Sequence, residues 1–94
     1  MKINSFKIFA DLMSSTLEFR SMDYGTISYQ DDNDTQKGCV VFSYDDEAKL
    51  FACYDFIKGC ALSHGFYHIS CVMESAYDKV YIKYEKRYEI IIMK

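Results

Sequence analysis

The sequence predicts an α+β fold in which two helices pack on one antiparallel sheet of about four or five strands. Two segments, residues 4–15 and 45–63, repeat apolar residues at helical spacing, and the remaining segments alternate apolar and polar residues as strands do. No linker or internal repeat divides the 94 residues, so we expect a single domain over 1–94. Hydrophobic residues make up 50% of the chain and charged residues 27%, a balance that excludes intrinsic disorder.

The first predicted helix, residues 4–15, is defined by one apolar stripe. At about 100° per residue its apolar side chains fall within an arc of roughly 100°, and Asn4 or Ser5 is placed to cap its first turn. The run Ser14-Ser15-Thr16 then weakens the helical pattern. The stripe consists of Phe6, Phe9, Ala10, Met13 and Leu17.

Extended segments are predicted between the two helices. Alternation over residues 17–22 and the β-branched and aromatic run 26–30 both favour strands. Residues 23–25, Asp-Tyr-Gly, have the composition of a hairpin turn between them. Residues 31–38 form the clearest loop of the chain, and residues 39–44 follow as a short, largely buried strand.

The second predicted helix, residues 45–63, is the best-defined element. Ser43 or Asp45 is placed to cap it, acidic residues occupy its first turn, where the helix dipole favours them, and a glycine two residues beyond ends it. Phe51 and Leu62 fall outside its core arc, so we expect either the first helix or a binding partner to cover them. The core arc holds Leu50, Cys53, Ile57, Cys60 and Ala61.

The last third of the chain is predicted to be β-structure. Residues 66–74 form one candidate strand and residues 75–78 a turn. From residue 79 onward apolar residues alternate along one face, broken only at Lys86, so residues 79–93 form either one bent strand or two. Because so apolar a strand would be unsafe at a free edge, we expect it to be central in the sheet or paired in a homodimer.

Charge is distributed unevenly along a chain whose net charge is −3. Residues 21–48 carry seven acids and one base, a local net charge of −6, whereas residues 79–94 carry five bases and two acids, a local charge of +3. The overall balance argues against direct binding to nucleic acid or to an anionic membrane surface, which needs a basic footprint. Aromatic residues make up 17% of the chain, which is typical of recognition surfaces.

The acidic region predicts a partner-binding surface. The loop 31–38 and the start of the second helix would present their carboxylates together if the intervening strand placed them on one side. Interleaved tyrosines would add rigid contact area. The alternative for the loop is a plain solvated hairpin connection. The predicted partner-binding residues are Asp31, Asp32, Asp34, Asp45, Asp46, Glu47, Tyr24, Tyr29 and Tyr44.

Cys60, His64, His68 and Cys71 form a pattern with metal-ligand residue types. A strand over 66–74 would turn His68 and Cys71 to opposite faces, and the spacing lacks the C-x2-C of common zinc modules. A Cys60–His64 nucleophilic pair would lack an orienting third group. We therefore expect no metal, no cofactor and no catalytic residue, and reduced, structural cysteines in a cytoplasmic protein without a signal peptide.

The short, proline-free, acidic and tyrosine-rich chain resembles the small phage-encoded proteins that inhibit host defence, of the anti-restriction and anti-CRISPR type. The resemblance covers the whole chain in size, composition and element order. It implies a non-catalytic inhibitor that binds a host protein in the bacterial cytoplasm, in part by presenting carboxylates where DNA phosphates would lie. Such partial DNA mimicry would be centred on residues 21–48 and could be doubled in a homodimer.

The alternative function is that of a small-ligand binder or sponge, with an aromatic pocket for a nucleotide at a dimer interface. Its pocket would combine apolar side chains with cations that attract an anion. The residues expected to line it are Phe51, Leu62, Lys83, Lys86 and Arg87.

Overall fold

The computed structural model describes residues 5–78 and 83–94, and for residues 74–78 and 83–86 the backbone alone is described. Two helices and four strands lie in these ranges. In chain order they are α1 (Phe6–Phe19), β1 (Thr26–Gln30), β2 (Cys39–Tyr44), α2 (Glu47–Ser63), β3 (His68–Asp78) and β4 (Lys83–Met93).

The four strands form one antiparallel sheet in the order β1-β2-β4-β3. The predicted α+β class is therefore confirmed. Strand β4 lies between β2 and β3, so the expectation that the apolar C-terminal strand is central is also confirmed. Of the two alternatives for residues 79–93, one strand or two, the described part is a single strand, which runs from Lys83 to Met93 without a break at Lys86-Arg87. Residues 79–82 lie outside the described residues.

Helix α1 continues to Phe19, so the prediction of an extended segment over residues 17–22 is wrong. Leu17 lies on the helical stripe and is fully buried, and the free energy of burying it exceeds the weak helix propensity of the serines before it. The N-cap is Ser5, whose hydroxyl accepts a hydrogen bond from the N–H of Ile8. Without a preceding strand, residues 23–25 do not form a hairpin turn.

Both helices end in the same motif, in which a residue with positive φ reverses the chain. In α1 this residue is Ser21 (φ 57°), and the N–H of Met22 donates to the carbonyl of Leu17 at 2.8 Å. In α2 it is Gly65 (φ 87°), and the N–H of Phe66 donates to the carbonyl of Ala61 at 2.9 Å. These bonds satisfy helix carbonyls that would otherwise lack a partner, as in the Schellman motif. Gly65 thus ends α2 as predicted.

Helix α2 begins two residues later than predicted. Its cap is Asp46, whose side chain accepts a hydrogen bond from the N–H of Ala48 at 2.6 Å, rather than Ser43 or Asp45. Glu47 then occupies the first turn, where the helix dipole favours a negative charge.

The two helices cover one face of the sheet and build the core there. Helix α1 packs over β1 and β2, and α2 packs over β2, β4 and β3. The opposite face of the sheet is covered by neither helix. The core consists of Phe6, Phe9, Ala10, Met13, Leu17, Val40, Phe42, Tyr44, Leu50, Cys53, Ile57, Ala61, Phe66, Ile90 and Ile92.

Strand β3 continues to Asp78, so the turn predicted at residues 75–78 is wrong. These residues pair with residues 83–86 of β4, because the hairpin that the two strands form is longer than the rest of the sheet. Pairing of β2 with β4 ends at Tyr44 opposite Tyr88. The β3–β4 hairpin therefore extends past the end of β2.

Candidate functional site

The two predicted acidic clusters lie at opposite ends of the sheet. Gln30 pairs with Cys39 at one end of the β1–β2 hairpin and Thr26 pairs with Ser43 at the other. The loop 31–38 is therefore separated from residues 45–47 by the length of β2, about 17 Å at roughly 3.3 Å per residue. The structure does not form the single acidic face that the sequence predicted. We call these two regions the loop end (residues 31–38 with Lys94) and the Asp45 end (Glu18–Tyr24 and Asp45–Lys49).

At the loop end, two of the three predicted carboxylates hold the chain together. The side chain of Asp31 accepts a hydrogen bond from the N–H of Phe6 at 3.1 Å and so ties the loop to the start of α1. Asp32 accepts hydrogen bonds from the Nζ of Lys94 at 2.6 Å and from the N–H of Gly38 at 2.5 Å. The bond to Lys94, and then that to Gly38, lower the pKa of Asp32.

The rest of the loop is folded by Asn33. Its side-chain oxygen accepts hydrogen bonds from the N–H groups of Thr35 and Gln36, each at 2.9 Å. Among the described residues, Asp34 is the loop carboxylate that makes no hydrogen bond. A cavity of about 550 Å³ opens to solvent here and is lined by residues 32–38, Met93 and Lys94. The loop therefore offers a partner one carboxylate without a structural role, instead of three.

At the Asp45 end, the carboxylates of Glu18, Asp23, Asp45 and Glu47 face solvent. The Nζ of Lys49 lies 3.1 Å from Asp45 Oδ1 and 3.6 Å from Asp23 Oδ2. Both carboxylates raise the pKa of Lys49, and Asp45 has the larger effect. Glu18 lies here too, because α1 starts beside the loop end and its 14 residues span about 21 Å.

Phe19 is the most exposed large apolar side chain among the described residues, at 90%. It is the last residue of α1 and therefore lies at the Asp45 end, next to Glu18 in sequence. Sequence reasoning missed Phe19 because it placed the residue in a strand. The signal was present, since on a continued helix Phe19 falls well outside the core stripe.

The three predicted tyrosines do not share a surface. Tyr44 is only 6% exposed, because alternate residues of β2 face the core, so its assignment as a partner-binding residue is wrong. Its hydroxyl has no hydrogen-bond partner among the described residues. Burial is the main cause that raises the pKa of Tyr44, and the neighbouring Cys53 thiol is the second. Tyr29 is exposed near the loop end, whereas Tyr24 is half-buried at the Asp45 end.

Of the predicted metal-ligand pattern, Cys60 and His64 are partly buried, whereas His68 and Cys71 are exposed. His64 packs its ring edge against Phe9, with ring centroids 6.0 Å apart. Burial raises the pKa of the Cys60 thiol, which is the opposite of what a thiolate nucleophile needs. In the described part of the chain, no group of three or more His, Cys, Asp or Glu side chains is arranged to hold a metal ion.

The pocket predicted for a nucleotide is not assembled by the described side chains. Phe51 and Leu62 are 51% and 42% exposed, so α1 does not cover them. Arg87 pairs with Glu89 on the uncovered face of the sheet, across the sheet from α2. The side chains of Lys83 and Lys86 lie outside the described residues.

Comparison of the chain with protein-family models, with curated proteins and with solved structures found no match. Neither helix within residues 5–78 and 83–94 has the length and apolar character that a membrane-spanning helix requires.

Proposed function

We propose that this chain is a non-catalytic binding protein that blocks a basic, nucleic-acid-binding surface of a host protein through its Asp45 end. The observation that carries the proposal is the exposed Phe19 on an end of the molecule rich in carboxylates. This is the anti-defence function with partial DNA mimicry that the sequence suggested, with the binding surface now assigned to one end of the fold.

The charge of the Asp45 end favours a basic partner. Its carboxylates are Glu18, Asp23, Asp45, Asp46 and Glu47, and its cations are Arg20 and Lys49. Arg20 is engaged with the ring of Phe56, 4.5 Å from its centroid. The exposed pairs of Lys49 with Asp23 and Asp45 are weak in water, so these carboxylates can exchange Lys49 for a cation of the partner. Such a surface accelerates encounter with a basic patch.

Phe19 supplies the apolar contact that charge alone lacks. Burying a phenylalanine side chain stabilises a complex by about 2 kcal/mol, and aromatic anchors ringed by polar residues are the usual centres of interfaces. Charge would then set the association rate and Phe19 the dissociation rate.

The loop end contributes less to this function. Because Asp31 and Asp32 hold the loop and α1 in place, reversing them would disturb the fold as well as the charge. A test of the acidic surface must therefore compare carboxylates that make no structural bond among the described residues. These are Asp34 at the loop end and Glu18 and Glu47 at the Asp45 end.

The experiment compares Glu47→Lys with Asp34→Lys, which change the charge equally at opposite ends. The tagged wild-type chain is used to isolate nucleic-acid-binding proteins from a bacterial lysate, and each is then tested for DNA binding with and without the purified variants. We expect the wild type and Asp34→Lys to block DNA binding, and Glu47→Lys and Phe19→Ser to weaken the block at least tenfold. Equal blocking by all four proteins would contradict the proposal.

A further inference from the structure

The two edges of the sheet differ in how well they are protected. Strand β1 has five residues, and a short edge strand offers little backbone to a neighbour. Strand β3 has eleven, and its register with β4 continues from His68 to Asp78 without a bulge. Residues 68–73 contain no Asp, Glu, Lys or Arg, and the chain contains no proline. Within the described residues, this stretch therefore has no charge, proline or bulge of the kind that keeps an edge strand unpaired, and no further strand pairs with it.

Two exposed apolar side chains of α2 lie outside its core arc, on the side of the helix away from α1. Phe56 of α2 contacts Arg20, just after α1, which lies over β1 and β2. Phe51 and Leu62 are about 120–140° around the helix from Phe56. They therefore point away from α1 and remain about half exposed above the sheet.

Strand β3 adds apolar side chains below them. Cys71 and Met73 alternate onto the face that carries the helices, and both are exposed because α2 does not reach over them. Tyr67, just before the strand, is also exposed. We call these exposed side chains and the edge of β3 the β3 margin.

We propose that the β3 margin binds a second copy of this chain, with β3 of one copy pairing antiparallel to β3 of the other. A strand related to itself by a two-fold axis pairs antiparallel, which is the arrangement of every pair already in this sheet. The result is a continuous sheet of eight strands with both α2 helices on one face. This inference does not depend on the proposed function.

A second copy fits the margin because the margin is compatible with itself. The two-fold axis that pairs the strands sets Cys71 and Met73 close to the same side chains of the other copy. The exposed apolar side chains of each β3 therefore lie against those of the other.

Charge is compatible with this arrangement. The uncharged stretch 68–73 can lie against itself without bringing like charges together. On the β3 side of α2, Glu47 is near the N-terminus and Lys58 is in the C-terminal half. Two-fold related helices run antiparallel, so the acidic end of each helix lies toward the half of the other that carries Lys58.

The test uses two matched serines. Ser28, Val41, Ile91 and Ser70 form one row across the sheet, so Ser28 and Ser70 occupy equivalent exposed positions on the β1 and β3 edges. Sedimentation velocity is measured over a range of concentrations for the wild type, Ser70→Lys and Ser28→Lys, with folding checked by circular dichroism. We expect the wild type and Ser28→Lys to form dimers of twice the 11.0 kDa chain mass. Ser70→Lys should weaken dimerisation at least tenfold.

Amide hydrogen exchange on the wild type keeps the proposal testable if Ser70→Lys fails to fold. Protection within residues 69–73 should rise with protein concentration, while protection of β1 should not. A wild type that is monomeric at every concentration overturns the proposal. A dimer that both lysine variants weaken equally also overturns it, because that result would mean that the two copies contact each other through the sheet face that no helix covers.

Discussion

The loop end and the Asp45 end contain the same kinds of side chain but use them differently. At the loop end, Asp31 accepts a hydrogen bond from the N–H of Phe6 at the start of α1, and Asp32 accepts one from the N–H of Gly38 at the end of the loop, so these carboxylates hold α1 and the loop together. At the Asp45 end, Asp46 caps a helix and Asp23 accepts a hydrogen bond from the N–H of Gly25 within its own turn, whereas the other carboxylates face solvent or pair with Lys49. A carboxylate is thus available to a partner only where the fold does not already use it.

The difference also concerns how much change each end tolerates. The loop end is closely packed around Gly38, which is buried between the backbone of Gln30 and the ring of Phe6. The Asp45 end consists of exposed side chains on two helix termini and one turn. We therefore expect mutations at the loop end to act on stability and mutations at the Asp45 end to act on binding.

The largest effect is expected for Gly38→Ala. A Cβ at this position would lie 2.4 Å from the carbonyl oxygen of Gln30 and 2.6 Å from the ring of Phe6, and a backbone oxygen cannot move aside cheaply. We expect a loss of about 3 kcal/mol in the free energy of unfolding, measured by urea denaturation. Gly59→Ala is the control, because its Cβ would meet nothing and should stabilise α2 by up to about 1 kcal/mol. Equal effects would mean that the loop end is not tightly packed.

Asp31→Ala should destabilise the fold by about 1 kcal/mol, because the N–H of Phe6 loses its acceptor. Asp34→Ala changes the same type of side chain in the same loop but breaks no hydrogen bond among the described residues. It should stay within about 0.5 kcal/mol of the wild type. The two midpoints in urea decide the matter, and coincident midpoints would remove the structural role assigned to Asp31.

Tyr44→Phe tests the buried hydroxyl beside the Asp45 end. Because this hydroxyl lacks a hydrogen-bond partner among the described residues, its removal should be neutral or stabilise the fold by about 0.5 kcal/mol at pH 7. Burial raises the pKa of both Tyr44 and Cys53 in the fold. The folded pKa therefore lies above the ordinary value, which is 10.0 for Tyr44 and 9.0 for Cys53. The contribution of each group to stability is fully present below its ordinary value and is lost as the pH rises above it.

Thermal unfolding between pH 7 and pH 11 measures this dependence. The wild type should lose stability across the range, and Tyr44→Phe should lose less of it. A variant that follows the wild-type curve would indicate that Tyr44 does not contribute to alkaline unfolding.

The smallest effect is expected for Lys94→Met, which removes the exposed partner of Asp32. The folded pKa of Asp32 is lowered, so its contribution is present above the ordinary value of 3.8 and is lost as the pH falls through the folded pKa. The variant should show a weaker dependence of stability on acid and on salt than the wild type. Unfolding midpoints are measured for both proteins from pH 2 to pH 5, at low and at high salt. If the midpoints of the variant depend on pH and salt as those of the wild type do, the Lys94–Asp32 pair does not contribute to stability.

The fold class was predictable because both helices have apolar stripes and β4 has a long alternating pattern. The boundaries were less so, for identifiable reasons. Ser14-Ser15-Thr16 is a poor helical sequence, but Leu17 beyond it is buried, and tertiary packing decided the length of α1. Residues 75–78 have the composition of a turn, but they pair with residues 83–86 of β4, so strand pairing and not the propensity of these residues decides the extent of β3.

The candidate site was less predictable than the fold. Local charge showed that residues 31–34 and 45–47 are acidic, but whether they meet depends on which ends of the strands they leave. The hydrogen bond from Phe6 to Asp31 is also beyond local reasoning, since it joins residues 25 positions apart. Tyr44 could have been excluded from the surface, because it continues the buried alternation of Val40 and Phe42 on β2.

The bond between Asp31 and Phe6 has a consequence for the order of folding. The N–H of Phe6, at the start of α1, donates to the side chain of Asp31, which belongs to the loop that connects the paired strands β1 and β2. We therefore expect the first turn of α1 to be completed after the hairpin closes, as a late event on the way to the native state. Asp31→Ala should consequently accelerate unfolding while leaving the refolding rate almost unchanged.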